Sequence, residues 1–173
     1  EEGDEIIVKS AFVPYADSLD DRIFEHIVIE DGGELICKNV TFFESDNLIH
    51  VSNSTLQFEN CSFGEIKTNF IRSYESEIIL NHCASGSVNS LGRFDRSFVR
   101  INDLTAKKGN VFVKGFGTDF DVVNSTISGY NVVADLDHVS NFTAWLSAFS
   151  ATGATSLSLP SLSAAWAGAG GGN

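Results

Sequence analysis

The chain has no methionine, only three cysteines, and 11 lysines and arginines against 23 aspartates and glutamates, a net charge of −12. So acidic a chain is poorly suited to nucleic acid or an anionic membrane surface, both of which are held through cations. No run of 18 uninterrupted apolar residues occurs, so no segment reads as a membrane-spanning helix. There is no Cys-x-x-Cys, and the four histidines (His26, His50, His82, His138) are scattered, so neither a metal site nor a cofactor is expected. From His138 to the end the chain contains no Asp, Glu, Lys or Arg at all. Methionine is missing even from the first position, and five Asn-x-Ser/Thr sequons occur, at Asn39, Asn53, Asn60, Asn124 and Asn141. Together these point to a mature extracellular or cell-surface chain from which a signal peptide has been removed.

What is present is a repeat. Leu35–Asn39, Leu56–Asn60, Ile78–His82, Val99–Asp103, Phe120–Asn124 and Phe142–Leu146 superimpose at spacings of 21 or 22 residues. Leu35, Leu56, Ile78, Val99, Phe120 and Phe142 form one apolar column, and Cys37, Phe58, Leu80, Ile101, Val122 and Ala144 form a second two residues on. Alternation of this kind is a strand with one buried face, and its recurrence at a fixed long period marks a solenoid. The expected fold is all-β, a single-stranded parallel β-helix (β-solenoid) of about six coils of 21–22 residues, with the right-handed turn usual for parallel crossovers. A second strand per coil is expected around Leu48, Phe70, Leu91, Val111 and Val132, although Ile49, Ile71 and Val133 would also serve as inward residues. Gly33, Ser54, Ser76, Ser97, Thr118 and Ser140 form a column of small turn residues.

Three regions follow. Residues 1–22 supply an N-terminal strand, Glu5–Lys9, and a cap; residues 23–150 form the solenoid; residues 151–173 are an uncharged Ala/Gly/Ser-rich segment. Its Leu157, Leu159, Leu162 and Trp166 are apolar groups suited to assembly with another subunit or to sealing the solenoid end.

Carrying the alternation two residues past Cys37 places Asn39, Asn60, His82, Asp103 and Asn124 inward, as a structural polar ladder rather than a catalytic set. On that reading their sequons are closed to glycans, leaving Asn53 and Asn141, at turns, as the candidate glycosylation sites. Cys61 and Cys83 share a column on consecutive coils, within reach of a disulfide or of a stack of reduced thiols, while Cys37 lies in the core. Charge is uneven. Residues 1–46 hold 13 acids and three bases, whereas residues 72–114 hold seven of the 11 bases.

The segment Phe58–Phe63 (Phe-Glu-Asn-Cys-Ser-Phe), following Lys38–Phe42 (Lys-Asn-Val-Thr-Phe), resembles the Phe-x-Asn repeat of right-handed parallel β-helix surface proteins. These include the passengers of chlamydial polymorphic outer-membrane proteins. The resemblance covers roughly residues 30–150 and implies a surface, adhesin-like setting. Pectate-lyase-like enzymes share that fold, but no stacked aspartates corresponding to their calcium cluster are found here, and fold alone does not confer activity.

The function expected is therefore that of a non-catalytic, extracellular structural or adhesive solenoid. Such a chain is a homo-oligomer or filament subunit joined through its ends and C-terminal segment, and possesses no nucleic-acid partner or transmembrane segment. The alternative is a β-helix that binds or cleaves carbohydrate, with Arg72, Arg93, Arg96 and Arg100 meeting an acidic glycan. An ice-binding face is disfavoured, because the column Thr41, Ser62, Ala84, Thr105, Thr126, Ser147 lacks a matching second column.

Overall fold

A computed structural model describes residues 5–9, 12–15, 26–42 and 49–151, with side chains described for 27–42 and 49–151. The first strands are β1 (Glu5–Lys9), β2 (Phe12–Tyr15), β3 (His26–Ile29), β4 (Glu34–Lys38), β5 (Thr41–Phe42), β6 (Ile49–Ser52), β7 (Thr55–Glu59) and β8 (Ser62–Phe63). They are followed by β9 (Ile66–Tyr74), β10 (Glu77–Ser85), β11 (Val88–Asp95), β12 (Phe98–Phe116), β13 (Asp119–Val123), β14 (Thr126–Leu136), β15 (Asn141–Trp145) and β16 (Ala148–Ala151). Among the described residues there is no helix, and hence none long and apolar enough to cross a membrane.

The strands stack as a parallel solenoid with three faces. The first face runs β4, β7, β10, the start of β12, β13 and β15, all parallel. Its register pairs Leu35 with Leu56, Leu56 with Ile78, Ile78 with Val99, Val99 with Phe120 and Phe120 with Phe142. The repeat in the sequence is thus the pairing register itself. A short second face joins β5, β8 and the end of β10, then Thr105–Ala106 of β12, the start of β14, and β16. The third runs β3, β6, β9, β11, the end of β12 and the end of β14.

The core follows from this stacking. Each inward side chain lies over its like on the next coil, about 4.8 Å away, and each inner coil buries apolar surface on both neighbours. Leu56, Phe58, Ile78, Leu80, Val99 and Ile101 are fully buried. Phe42, Phe58, Phe63 and Phe70 gather at the early coils, the Phe63 and Phe70 ring centroids 4.8 Å apart and those of Phe58 and Phe63 5.2 Å apart. On the third face both expected parities are buried, because the chain bends there. Phe70 and Ile71 both point inside, as do Leu91 and Gly92, Phe112 and Val113, and Val133 and Ala134; Val111 and Val132 are only half-buried. Gly92 is required at this bend, since a Cβ there would run into the Ile71 carbonyl oxygen and the Phe94 ring. Leu48 lies outside the described residues.

The strand expected at Glu5–Lys9 is β1, and it does not extend the parallel stack. It pairs antiparallel with β4, as β2 does with β3. Residues 16–22 of the expected cap and 23–25 of the expected solenoid lie outside the described residues, as do Leu157, Leu159, Leu162 and Trp166.

Candidate functional site

The polar column Asn39, Asn60, His82, Asp103 and Asn124 does not face inward. Each has a left-handed backbone, with φ of 56°, 53°, 52°, 56° and 51°, and Asn60, His82, Asp103 and Asn124 are exposed. The physical reason is that a left-handed residue turns the chain by itself. Alternation carried through the corner therefore slips by one, and the next residue becomes the inward one. Asn, Asp and His are the non-glycine types that best tolerate this conformation, so the column marks a corner. Neighbours along it do bond to each other. Asn60 Nδ2 donates to Asn39 Oδ1 at 2.7 Å, and His82 Nδ1 lies 2.8 Å from Asp103 Oδ2. Both pairs sit on a convex edge, the His82 and Asp103 side chains 60% and 49% exposed, so the expected buried His–Asp bond is a surface one.

The glycosylation split fails for the same reason, since Asn60 and Asn124 are as open to solvent as Asn53 and Asn141. Asn53 is itself a left-handed turn residue, with φ of 48°, while Asn141 opens β15 and donates to Asp119 Oδ1 at 2.7 Å.

Leu146 takes the same corner in the last coil, with φ of 50° and 76% exposure. A leucine has no side-chain hydrogen bond to offset the roughly 1–2 kcal/mol that the left-handed region costs an L-residue. Leu146→Asn is accordingly expected to raise stability, by up to about 1 kcal/mol. Urea unfolding monitored by circular dichroism measures this, and an unchanged or lower midpoint counts against the corner argument.

One inward polar ladder lies one residue beyond the left-handed corners Asn53, Glu75, Arg96 and Gly117, and continues at Ser140. Ser54, Ser76, Ser97, Thr118 and Ser140 are buried. The backbone N–H of each of the first four donates to the hydroxyl of the next coil, at 3.2, 3.3, 3.2 and 3.0 Å. The hydroxyls of Ser54, Ser76 and Ser97 in turn donate to the carbonyl two residues back, at 2.8, 2.7 and 2.9 Å. The small-residue column of the sequence is thus a hydroxyl ladder that satisfies the backbone of each bend, where strand pairing is interrupted.

Thiols perform the same task at the other corner. Cys61 Sγ donates to the Glu59 carbonyl at 3.4 Å and Cys83 Sγ to that of Asn81 at 3.2 Å, just as Ser125 Oγ donates to that of Val123 at 2.8 Å. Cys61 and Cys83 are neighbours on adjacent coils as expected, but both are free and buried, as is Cys37. The neighbouring Cys61 thiol, together with burial, holds Cys83 far above the usual thiol range, and the proximity of Cys83 lowers Cys61. Burial, then the neighbouring Cys61, pushes Cys37 up to about 12, so that thiol is inert at neutral pH.

The four candidate arginines are not one patch. Arg100 lies on the first face, its guanidinium 5.1 Å from the Phe98 ring centroid and 4.0 Å from Glu77. Arg96 occupies a left-handed corner, with φ of 50°, and donates to Tyr74 Oη at 3.1 Å and Glu75 Oε1 at 3.3 Å. Arg72 and Arg93 alone come together, as direct partners on neighbouring strands of the third face. The same register adds two residues that the sequence reading left out, for His50 pairs with Arg72 and Lys114 with Arg93. Four basic side chains therefore stand in one outward row across four coils.

Comparison of the chain with family models, with curated proteins and with solved structures finds no match.

Proposed function

We propose that this chain is a non-catalytic, extracellular structural or adhesive solenoid whose C-terminal end is its assembly surface, as in a surface filament, sheath or stalk. The observation that carries this reading is the difference between the two ends. At the N-terminal end, antiparallel β1 and β2 break the parallel pattern on two faces. At the other end β15 pairs only with β13 and β16 only with β14, so among the described residues nothing lies on their far side. Trp145 and Leu146 are exposed there, and Phe142 and Phe149 are only half-buried. An uncovered row of strand N–H and C=O groups beside apolar side chains is a template for a further strand.

Residues 151–173, uncharged throughout, are the proposed connector. The His82–Asp103 pair gives no support to a hydrolase, because it stands on a convex edge and its partners are spent on each other. Electron microscopy and light scattering of the full chain beside a chain ending at Ser150 test the reading. Regular assemblies from the full chain and folded monomers from the shorter one are expected. Assemblies that survive the truncation, or a full chain that stays monomeric at every concentration, would sink it.

A further inference from the structure

The row His50, Arg72, Arg93, Lys114 is an anomaly of charge placement. In-register stacking brings like charges face to face, which destabilises a sheet. The other outward columns avoid this. Lys38 stacks on Glu59, and Arg100 lies between Ile79 and Asp121. A chain with only 11 lysines and arginines nevertheless places three of them, with a histidine, in a single line. Asp95 Oδ1 and Oδ2 accept from Arg93 Nε at 3.2 Å and Asp135 follows Lys114 in the register, but the exposed Arg72 and Lys114 form no salt bridge among the described residues. At Arg72, which lies between His50 and Arg93, the stacking has no such offset, and a local rule broken there points to a partner outside the chain.

The adjacent outward column supplies the second observation. Tyr74, Asp95 and Phe116 stand side by side next to the row, and Tyr74 and Phe116 are 42% and 58% exposed. The Arg96 guanidinium lies 5.8 Å from the Tyr74 ring centroid. Cations in line, flanked by part-exposed aromatic rings, suit a ligand with regularly spaced anions and apolar C–H faces, which describes a charged sugar chain. The row spans three interstrand steps, roughly 14 Å along the solenoid axis, so the ligand must be linear and lie parallel to that axis. The face is open rather than a deep cleft, so its anionic groups must project from the sugar rings. Arg72 and Arg93 stand about 4.8 Å apart at the backbone, a separation that the three oxygens of one projecting sulfate can bridge.

We infer that the third face binds a linear sulfated polysaccharide, with Arg72, Arg93 and Lys114 holding its sulfates and Tyr74 and Phe116 supporting its rings. This site is independent of the C-terminal assembly surface, which lies on the end of the solenoid rather than its side.

The test is binding of the full chain to immobilised heparin, with polygalacturonate and double-stranded DNA as the other probes. Wild type is expected to bind heparin. Arg72→Ser/Lys114→Ser is expected to weaken binding at least about tenfold at roughly 0.15 M salt, and Arg100→Ser to leave it unchanged. Phe116→Ala, which alters no charge, is expected to weaken it as well. Circular dichroism and light scattering on each variant separate loss of binding from loss of fold or assembly. No heparin binding by wild type, unaltered binding by the folded double variant, or equal binding of polygalacturonate or DNA would each overturn the assignment.

Discussion

Phe58→Ala is expected to destabilise the chain by about 3–5 kcal/mol and to do so locally. Phe58 is fully buried and packs against three other rings, with centroids 5.5 Å away at Phe42, 5.2 Å at Phe63 and 5.7 Å at Phe70. Removing it loses the transfer free energy of a large ring and leaves a cavity. The walls of that cavity are fixed by strand pairing and cannot close on it. In a solenoid each coil contacts only its neighbours, so the loss is felt first where the cavity is. Native-state hydrogen exchange should show lowered protection in β7, β8 and β9 with little change in β13 and the end of β14. Uniform loss across all coils would mean that the stack unfolds as one unit, against the nearest-neighbour expectation.

Thr118→Val is expected to cost about 1–3 kcal/mol although it preserves shape. Thr118 is fully buried. Its hydroxyl accepts from the Ser97 backbone N–H at 3.2 Å and donates to the Phe94 carbonyl at 2.7 Å. Valine would leave both buried groups unpaired inside the bend. Thr118→Ser retains the hydroxyl and loses only a methyl, so it should cost less. Equal unfolding midpoints for the two variants would show that the ladder contributes nothing beyond packing.

The period, the strand register and most of the core were legible in the sequence, because stacking forces chemically similar residues to recur at the coil length. Leu56, Ile78 and Val99 are read as a column and pair as one. The corners were not legible by the same rule. Period-two reasoning assumes extended backbone, and a single left-handed residue at Asn60 or His82 ends it. The residue types carried the missing signal, since a column of Asn, His and Asp is what a left-handed turn selects. The basic row was hidden for a different reason. Arg93, Arg96 and Arg100 are close in sequence, whereas a corner and two faces separate them. Reading the outward columns at the coil period links His50, Arg72, Arg93 and Lys114, at spacings of 22, 21 and 21.

The three-faced stack also sets how this chain bears load. Force along the solenoid axis acts on the hydrogen bonds between coils end-on, and at an open end it peels them one coil at a time. Phe120 and Phe142 occupy equivalent places 22 residues apart. Unwinding one such coil frees about 70 Å of extended chain where it had occupied about 4.8 Å of axis. A stack of this kind is therefore expected to lengthen stepwise under tension, coil by coil, rather than to give way as one block.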